Sequence, residues 1–184
     1  MINSETSGLQ GYYPADVLKY CPRCSAGDFV FQGEKSFQCG ACGFQLFINA
    51  AAAVVAFIED TEGRILFTRR GRDPKKGTLD LPGGFVDLNE TAEQALKREV
   101  KEELNLDMGE MHYFCSYPNT YLYGGIVYHT LDLTFRCSVI DLGPIRAGDD
   151  VGGYVFLSPG EIRIDDLGLD SIREIVRRYL AERS

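Results

Sequence analysis

The sequence has no tryptophan, only two histidines and three methionines, and no long hydrophobic segment. The longest apolar run, 50–58, is far shorter than the roughly 20 residues that cross a bilayer. The first ten residues contain neither a basic cluster nor an apolar core, so no signal peptide is predicted. We therefore expect a soluble, cytoplasmic protein with no membrane partner.

Positive charge is also scarce, because 19 Lys and Arg residues stand against 27 Asp and Glu residues, which gives a net charge of −8. Non-specific binding to duplex nucleic acid depends mainly on neutralising phosphates, so we do not expect duplex nucleic acid as a partner. A small phosphorylated substrate remains compatible with this charge, because bound metal ions can reverse the local potential. The length of 184 residues fits one domain with a small appendage.

Four of the six cysteines form two C-x2-C pairs, Cys21 with Cys24 and Cys39 with Cys42, separated by a 14-residue segment. This spacing predicts a zinc ribbon over 17–48, after an N-terminal tail at 1–16, with a short hairpin between the pairs. Four thiolates leave no ligand position open, which favours a structural Zn²⁺. A role of the ribbon in partner binding, or two unrelated pairs of free thiols, stays an alternative.

Residues 49–184 are predicted to form one further domain that mixes strands and helices. Strands are expected at 49–59, 64–69, 79–81, 112–117, 126–139 and 154–157, and a C-terminal helix at 171–180. A central helix should begin after Thr91, because Thr91 and Gln94 fit a capping box and no Gly or Pro follows until Gly109. Because no regular βαβ repeat is visible, the predicted fold class is α/β (α+β) with a mixed sheet.

The central helix carries Glu99, Glu102 and Glu103 at spacings i, i+3 and i+4. On a helical wheel Glu103 falls close to Leu96 on the apolar side, and Glu99 lies on the same flank. Three carboxylates turned toward the packed side would repel one another and lose hydration unless a cation lay among them. Mg²⁺ prefers such oxygen ligands. An ordinary acidic surface helix is the alternative interpretation.

Residues 84–106 resemble the Nudix box, G-x5-E-x7-R-E-U-x-E-E-x-G-U, in which U is aliphatic. Every fixed position matches except Asn105, where the family has Gly. Asn also tolerates the left-handed conformation of a helix C-terminus. A zinc ribbon before such a box resembles the NADH pyrophosphatase subgroup, whose signature S-Q-P-W-P-F-P-x-S is retained here only at Ser116, Pro118 and the aromatic Tyr121.

The resemblance implies the α/β/α Nudix sandwich and a hydrolase that uses Mg²⁺ or Mn²⁺ to cleave the diphosphate of a nucleoside diphosphate linked to another moiety. NADH, ADP-ribose and nucleotide sugars are the implied substrates, and a homodimer is the implied assembly. Roles carry over to matching positions: Arg98 as the residue that orients a catalytic glutamate, Gly84 and Glu90 as structural residues, and as metal ligands the Gly83 carbonyl, Glu99, Glu102 and Glu103. Glu99 is also a candidate base, and Asp149 or Asp150 is a candidate for one more acid on a later loop.

The aromatic segment after the box offers candidates for substrate binding. Tyr117, Tyr121 and Tyr123 could stack on a base, and Arg69 or Arg70 could bind phosphate. Aromatics that simply line a hairpin at Gly124–Gly125 are an equally weighted alternative. Two other functions stay open: a non-hydrolytic Nudix ligand sensor whose ribbon binds protein or nucleic acid, and, more remotely, an isomerase of the same fold.

Overall fold

The structure, a computed structural model, describes residues 9–33, 35–143, 145–148 and 151–183. These residues form two compact units. The first comprises the described residues up to Ala50 together with Thr120–His129, and the second comprises Ala51–Asn119 and the described residues from Thr130 onward. No helix among the described residues is long and apolar enough to cross a membrane.

The first unit is a small antiparallel sheet with a short helix. It contains α1 (Pro14–Val17), β1 (Phe29–Phe31), β2 (Ser36–Cys39) and β3 (Gln45–Phe47), with the strand order β1-β2-β3. Its core is built from Cys21, Phe29, Phe37 and Cys39. The hairpin predicted between the two cysteine pairs is confirmed, whereas β3 and α1 were not predicted.

The second unit contains two sheets and two longer helices. The strands are β4 (Ala51–Ile58), β5 (Ile65–Arg70), β6 (Leu79–Asp80), β7 (Gly83–Phe85), β8 (Met108–Tyr123), β9 (Ile126–Val139) and β10 (Val151–Leu157), and the helices are α2 (Ala92–Leu104) and α3 (Asp170–Arg183). The tip of the β8–β9 hairpin groups with the first unit. Two 3-10 turns, Pro159–Glu161 and Ile164–Asp166, precede α3.

Strand β4 lies in the middle of the larger sheet, whose order is β7-β4-β9-β8. It pairs in parallel with β9 and antiparallel with β7, so the mixed sheet expected from the sequence is confirmed. The smaller sheet has the order β10-β5-β6. Both neighbours of β5 run antiparallel to it.

The two helices pack on apolar clusters that use alternate residues of β4. Val54, Ala56 and Ile58 belong to the cluster with Leu96, Val100 and Leu104 of α2. Val55 and Phe57 belong to the cluster with Ile172, Ile175 and Val176 of α3. Because successive side chains of a strand point to opposite faces, this alternation places β4 between α2 and α3 and gives the expected α/β/α layering.

Most predicted boundaries agree with the structure within a few residues, and the largest difference concerns β8. The sequence predicted a strand at 112–117, but β8 runs over 16 residues and passes through Pro118. Proline interrupts a central strand but is tolerated at a sheet edge, where its missing N–H is not needed. β8 is the edge strand of its sheet among the described residues, which explains why the strand continues.

Both ends of α2 follow the expected capping chemistry. Thr91 Oγ1 accepts a hydrogen bond from Gln94 N at 3.2 Å, and Gln94 Oε1 accepts one from Thr91 N at 2.8 Å. Asn105 at the C-terminus has φ of +57°. Asn at the position of the family's Gly therefore supplies the left-handed residue that ends the helix.

We expect Thr91→Ala to lower the free energy of unfolding by about 1 kcal/mol, because the first turn of α2 loses its cap. Urea unfolding at neutral pH measures this change. Thr91→Ser keeps the hydroxyl acceptor and is the matched control. An alanine variant as stable as the serine variant would show that the capping box does not stabilise α2.

Candidate active site

Gly83 and Gly84 begin β7, which follows the end of β6 after two connecting residues, and bring the backbone against both β4 and α2. Gly83 has φ of +147°, and a Cβ at this position would lie 2.0 Å from Val54 O. A Cβ on Gly84 would lie 2.4 Å from the carboxyl carbon of Glu99. The approach of Gly83 to backbone atoms of β4 is not compatible with a side chain, whereas a side chain at Gly84 would displace the Glu99 carboxylate. The two glycines thus allow the start of β7 to contact the strand and the helix at once.

Two carboxylates of α2 face the glycines at the start of β7. Gly83 N donates a hydrogen bond to Glu103 Oε2 at 3.1 Å, and the Glu99 carboxylate lies against Gly84. Burial raises the pKa of Glu103 to about 8, although the Gly83 N–H opposes the shift. Burial also raises the pKa of Glu99, against the opposing effect of Arg98. Both shifts show that this position penalises uncompensated negative charge.

Arg98 connects the acidic residues of the box. Its Nε and Nη2 donate to the two oxygens of Glu90, each at 2.8 Å. Its Nη1 contacts Glu99 Oε1 at 2.8 Å and Glu102 Oε2 at 3.3 Å, and Nη2 also donates to the Phe85 carbonyl at 3.1 Å. The guanidinium therefore links α2 to β7 and to the loop between them.

The Arg98 contacts change the acid–base behaviour of the pair. Hydrogen bonds from the Arg98 side chain lower the pKa of Glu90 to about 2. Glu90 in turn raises the pKa of Arg98 above its ordinary value. This bidentate pair is therefore ionised at every pH at which the protein is expected to work.

Glu102 differs from the sequence expectation. Its side chain is 61% exposed, so only Glu99 and Glu103 are half-buried and the three acids do not all turn toward the packed side. The reason is geometric, since a step of one residue rotates the side chain by about 100° and separates Glu102 from Glu103. Arg98 lies between Glu99 and Glu102 and acts as their counter-ion.

The donor set of α2 fits a hard divalent cation. Glu99, Glu102 and Glu103 offer carboxylate oxygens, which Mg²⁺ and Mn²⁺ prefer, and the raised pKa values of Glu99 and Glu103 show that a positive charge would be stabilised there. Their oxygens are not all within 4.8 Å of one another, because among the described residues that criterion is met only by the four cysteines. The three carboxylates are therefore not gathered around a single point in this structure.

The four predicted zinc ligands lie together in the first unit. The Sγ atoms of Cys21, Cys24, Cys39 and Cys42 all fall within 4.8 Å of one another. Cys21 Sγ lies 3.7 Å from Cys42 Sγ, and Cys24 Sγ lies 3.6 Å from Cys39 Sγ. Tetrahedral Zn–S bonds of about 2.3 Å imply S–S separations of roughly 3.8 Å. The arrangement therefore fits Zn²⁺.

The predicted substrate-binding residues have separate environments. Tyr117 is half-buried against the α3 cluster in the second unit, whereas Tyr121 and Tyr123 stack on each other in the first unit with ring centroids 6.2 Å apart. Arg69 is exposed and its Nη1 donates to Gly77 O at 2.7 Å. Arg70 Nη1 donates to Asp80 Oδ2 at 2.7 Å. The late-acid candidates, Asp149 and Asp150, lie outside the described residues.

Sequence reasoning missed Asp80, a buried acid three residues before Gly83. The available signal was a charged residue inside a short apolar strand. A carboxylate at such a position is expected to be buried, and buried carboxylates almost always have a partner. Its partner Arg70 was considered only as a phosphate ligand. The pairing depends on the antiparallel register of β5 and β6, in which Thr68 lies opposite Asp80.

Comparisons with known proteins agree with this geometry. The NUDIX domain model matches residues 49–179. The chain is 37% identical over 109 residues to an ADP-ribose pyrophosphatase of Methanocaldococcus jannaschii, covering 58% of this chain and 61% of that protein. It is 30% identical over 128 residues to an NAD-capped RNA hydrolase, NudC, of Haemophilus influenzae, covering 66% of this chain and 48% of that protein.

Among solved structures, a NUDIX hydrolase from Nitrosomonas europaea superposes with a TM-score of 0.67 at 25% identity. The match covers 90% of this chain and 92% of that one. The chain thus spans about half the length of the curated relatives it matches and nearly the whole of this solved structure.

Replacement of one zinc ligand tests the cysteine cluster. We expect Cys24→Ser to lose bound zinc and to lower the melting temperature of the first unit, because metal binding stabilises a small core. Zinc content by mass spectrometry and thermal unfolding measure the two effects. Cys137→Ser, which changes a cysteine of the second unit, is the control. Full zinc content in Cys24→Ser would contradict the assignment.

The Glu90–Arg98 pair predicts how stability depends on pH. The pKa of Glu90 is about 2 in the folded protein, below its ordinary value of 4.5, so the folded state binds fewer protons and the pair stabilises it above pH 4.5. This contribution should be lost as the pH falls from 4.5 toward 2. We therefore expect Glu90→Gln to be less stable than the parent protein at pH 7, with the difference disappearing at pH 2.

Denaturant unfolding of both proteins at several pH values measures this difference. Glu62→Gln, a change of the same type at an exposed acid in the β4–β5 turn, is the control. A stability difference between Glu90→Gln and the parent that stays constant from pH 7 to pH 2 would show that the pair does not titrate as the contacts imply.

Proposed function

The chain belongs to the Nudix family, and on this premise we propose that it is a metal-dependent pyrophosphohydrolase. Its proposed substrate is a nucleoside diphosphate linked to another moiety, and its proposed cofactor is Mg²⁺ or Mn²⁺. The observation that carries the proposal is the pair of half-buried carboxylates, Glu99 and Glu103, against Gly83 and Gly84 at the start of β7. Such acids are stabilised by a cation, and a cation at this position is what diphosphate hydrolysis requires.

In the proposed reaction Glu99, Glu102 and Glu103 would hold the metal, together with the Gly83 carbonyl. When bound there, it would supply positive charge against the diphosphate and lower the pKa of an attacking water. Glu99 and Glu103 are the candidates for accepting the proton of that water, because burial raises the pKa of both carboxylates. Arg98 orients Glu99 and Glu102 through its Nη1, and Glu90 fixes Arg98 by two hydrogen bonds.

The names of the relatives support an adenine-nucleotide substrate. One is described as an ADP-ribose pyrophosphatase and another as an NAD-capped RNA hydrolase. These substrates share a diphosphate that joins two nucleoside or sugar groups. We propose that Tyr117, Tyr121 and Tyr123 contribute to the binding of a base, that Arg69 or Arg70 contributes to the binding of phosphate, and that Asp149 or Asp150 supplies a further acid.

We propose that the ribbon binds a structural Zn²⁺ through Cys21, Cys24, Cys39 and Cys42. The ribbon covers 17–48 and the catalytic domain covers 49–184. We also propose that the protein acts in the cytoplasm. The six free cysteines support the last point, because a reducing compartment keeps thiols unpaired and available for metal. The likeness to the NADH pyrophosphatase subgroup supports a homodimer.

A hydrolysis screen tests the function. NADH, NAD⁺, ADP-ribose, NAD-capped RNA and nucleotide sugars are incubated with the full chain and Mg²⁺ or Mn²⁺, and products are identified by mass. We expect one substrate class to be cleaved at the diphosphate. We expect Glu103→Gln to reduce turnover by about 100-fold or more, because a metal ligand and a candidate base are removed together.

Glu110→Gln, the same substitution at an exposed residue of β8, is the control and should retain full activity. Circular dichroism of the Glu103→Gln protein verifies folding. No cleavage of any substrate by a folded, zinc-loaded protein would contradict the proposal and favour the ligand-sensor alternative. Unchanged turnover in Glu103→Gln would contradict the assignment of the metal site.

A further inference from the structure

Two arginines share a single carboxylate on the face of the larger sheet that packs against α3. Nη2 of Arg136, in β9, lies 2.6 Å from Glu182 Oε2, and Nε of Arg178, in α3, lies 3.3 Å from Glu182 Oε1. Within the described part of the chain, no other carboxylate lies within ion-pair distance of Arg136 or Arg178. Because guanidinium stays protonated in proteins, this group of three side chains carries one positive charge that no acid balances.

Two other arginines of α3 each have a carboxylate of their own. Arg177 pairs with Glu174, and Arg183 Nη1 lies 2.8 Å from Glu59 Oε2. These pairs are neutral, whereas the group around Glu182 is not. A local excess of positive charge stands out in a chain whose net charge is −8.

An aromatic ring of β8 supports both guanidinium groups that contact Glu182. Cζ of Arg136 lies 4.3 Å from the centroid of the Phe114 ring, and Cζ of Arg178 lies 5.2 Å from the same centroid. Phe114 is itself packed against the apolar cluster beneath α3. Because the face of an aromatic ring attracts a cation, the two guanidinium groups are held near each other by the sheet as well as by Glu182.

Glu182 is a weakly held partner for these two arginines. Its side chain is 43% exposed, and it lies one residue before the end of α3. Exposed ion pairs contribute little to stability, and the last turn of a helix opens more readily than its middle. The Arg136 and Arg178 side chains are 44% and 48% exposed, so a solute can reach them without any opening of the core.

We propose that Arg136 and Arg178 form a binding site for a phosphate group, and that the Glu182 carboxylate occupies this site when no phosphate is bound. Guanidinium groups present paired N–H donors that match phosphate oxygens. A phosphate group carries nearly two negative charges at neutral pH, so it balances both arginines, whereas the single charge of Glu182 balances only one.

The proposed phosphate site lies apart from the glycines that face the acids of α2. Gly83 and Thr134 both lie opposite Val55 of β4, and Arg136 follows Thr134 by two residues on β9. Two strand spacings and two residues therefore separate the Cα atoms of Gly83 and Arg136 by about 12 Å. The site goes beyond the proposed hydrolase function and does not depend on it.

Glu182→Gln tests the site, because it removes the competing charge and keeps the size of the side chain. Calorimetry measures the binding of inorganic phosphate to the full chain at constant ionic strength, without added Mg²⁺ or Mn²⁺, so that the proposed metal site does not contribute. We expect the dissociation constant for phosphate to fall about tenfold in Glu182→Gln. Adding Arg136→Met to this variant should raise the constant again by about tenfold or more, because one of the two guanidinium groups is lost.

Glu174→Gln is the matched control. Glu174 and its partner Arg177 lie on the same helix and are each 50% exposed, but this pair has no second guanidinium. We expect its phosphate affinity to equal that of the parent protein. Titration with glycerol 3-phosphate compares the two sources of the phosphate group: tighter binding than inorganic phosphate assigns the site to a phosphate monoester, and equal or weaker binding assigns it to free phosphate.

Equal phosphate binding by Glu182→Gln and the parent protein would overturn the proposal, and so would a double variant that binds as tightly as Glu182→Gln. The same gain of affinity in Glu174→Gln would also overturn it, because phosphate would then respond only to the net charge of α3. Circular dichroism verifies the folding of each variant. A protein that binds phosphate as expected but cleaves no substrate in the hydrolysis screen would retain this inference and lose the proposed function.

Discussion

The arrangement of the second unit depends on how closely the start of β7 approaches β4 and α2. Gly83 approaches Val54 O on β4 at a distance that excludes a Cβ, and Gly84 approaches the Glu99 carboxylate on α2. The N–H of Gly83 then reaches Glu103. The pairing of β4 with β7, the seating of α2 and the direction of two carboxylates all follow from this close approach. The glycines of the PGG pattern are therefore required for packing, independently of any chemistry at the site.

The same close approach creates an electrostatic cost that the surrounding residues offset. Glu99 and Glu103 lose much of their hydration, as the raised pKa values indicate. Arg98 compensates on one side, and it can do so only because Glu90 fixes its guanidinium with two hydrogen bonds. The site is thus a set of partly buried acids arranged around one fixed guanidinium.

Local signals in the sequence were sufficient for much of the fold and for part of the site. The capping box at Thr91 and the left-handed Asn105 depend on neighbouring residues alone, and both are confirmed. The cysteine spacing also predicts a cluster, because each C-x2-C turn is local. Non-local features were missed. The predicted strand ended before Pro118, because the sequence alone does not show that β8 lies at the edge of its sheet. The Arg70–Asp80 pair depends on the register between β5 and β6, which is not a local property of the sequence. The helical wheel correctly placed Glu103 and Glu99 toward the packed side of α2. It did not predict that Glu102 remains exposed and pairs with Arg98.

The first unit is discontinuous along the chain. The tip of the β8–β9 hairpin, Thr120–His129, belongs with the residues that precede β4, where Val127 N donates to Tyr12 O at 2.8 Å and Tyr13 stacks on His129. During synthesis the cysteine-bearing segment leaves the ribosome early, yet its unit is complete only after residue 129 has been made. By then β4 to β7 and α2 have also been synthesised. The first unit therefore lacks its last segment until the whole Nudix box has been synthesised, so the two units are not completed in the order in which they begin along the chain.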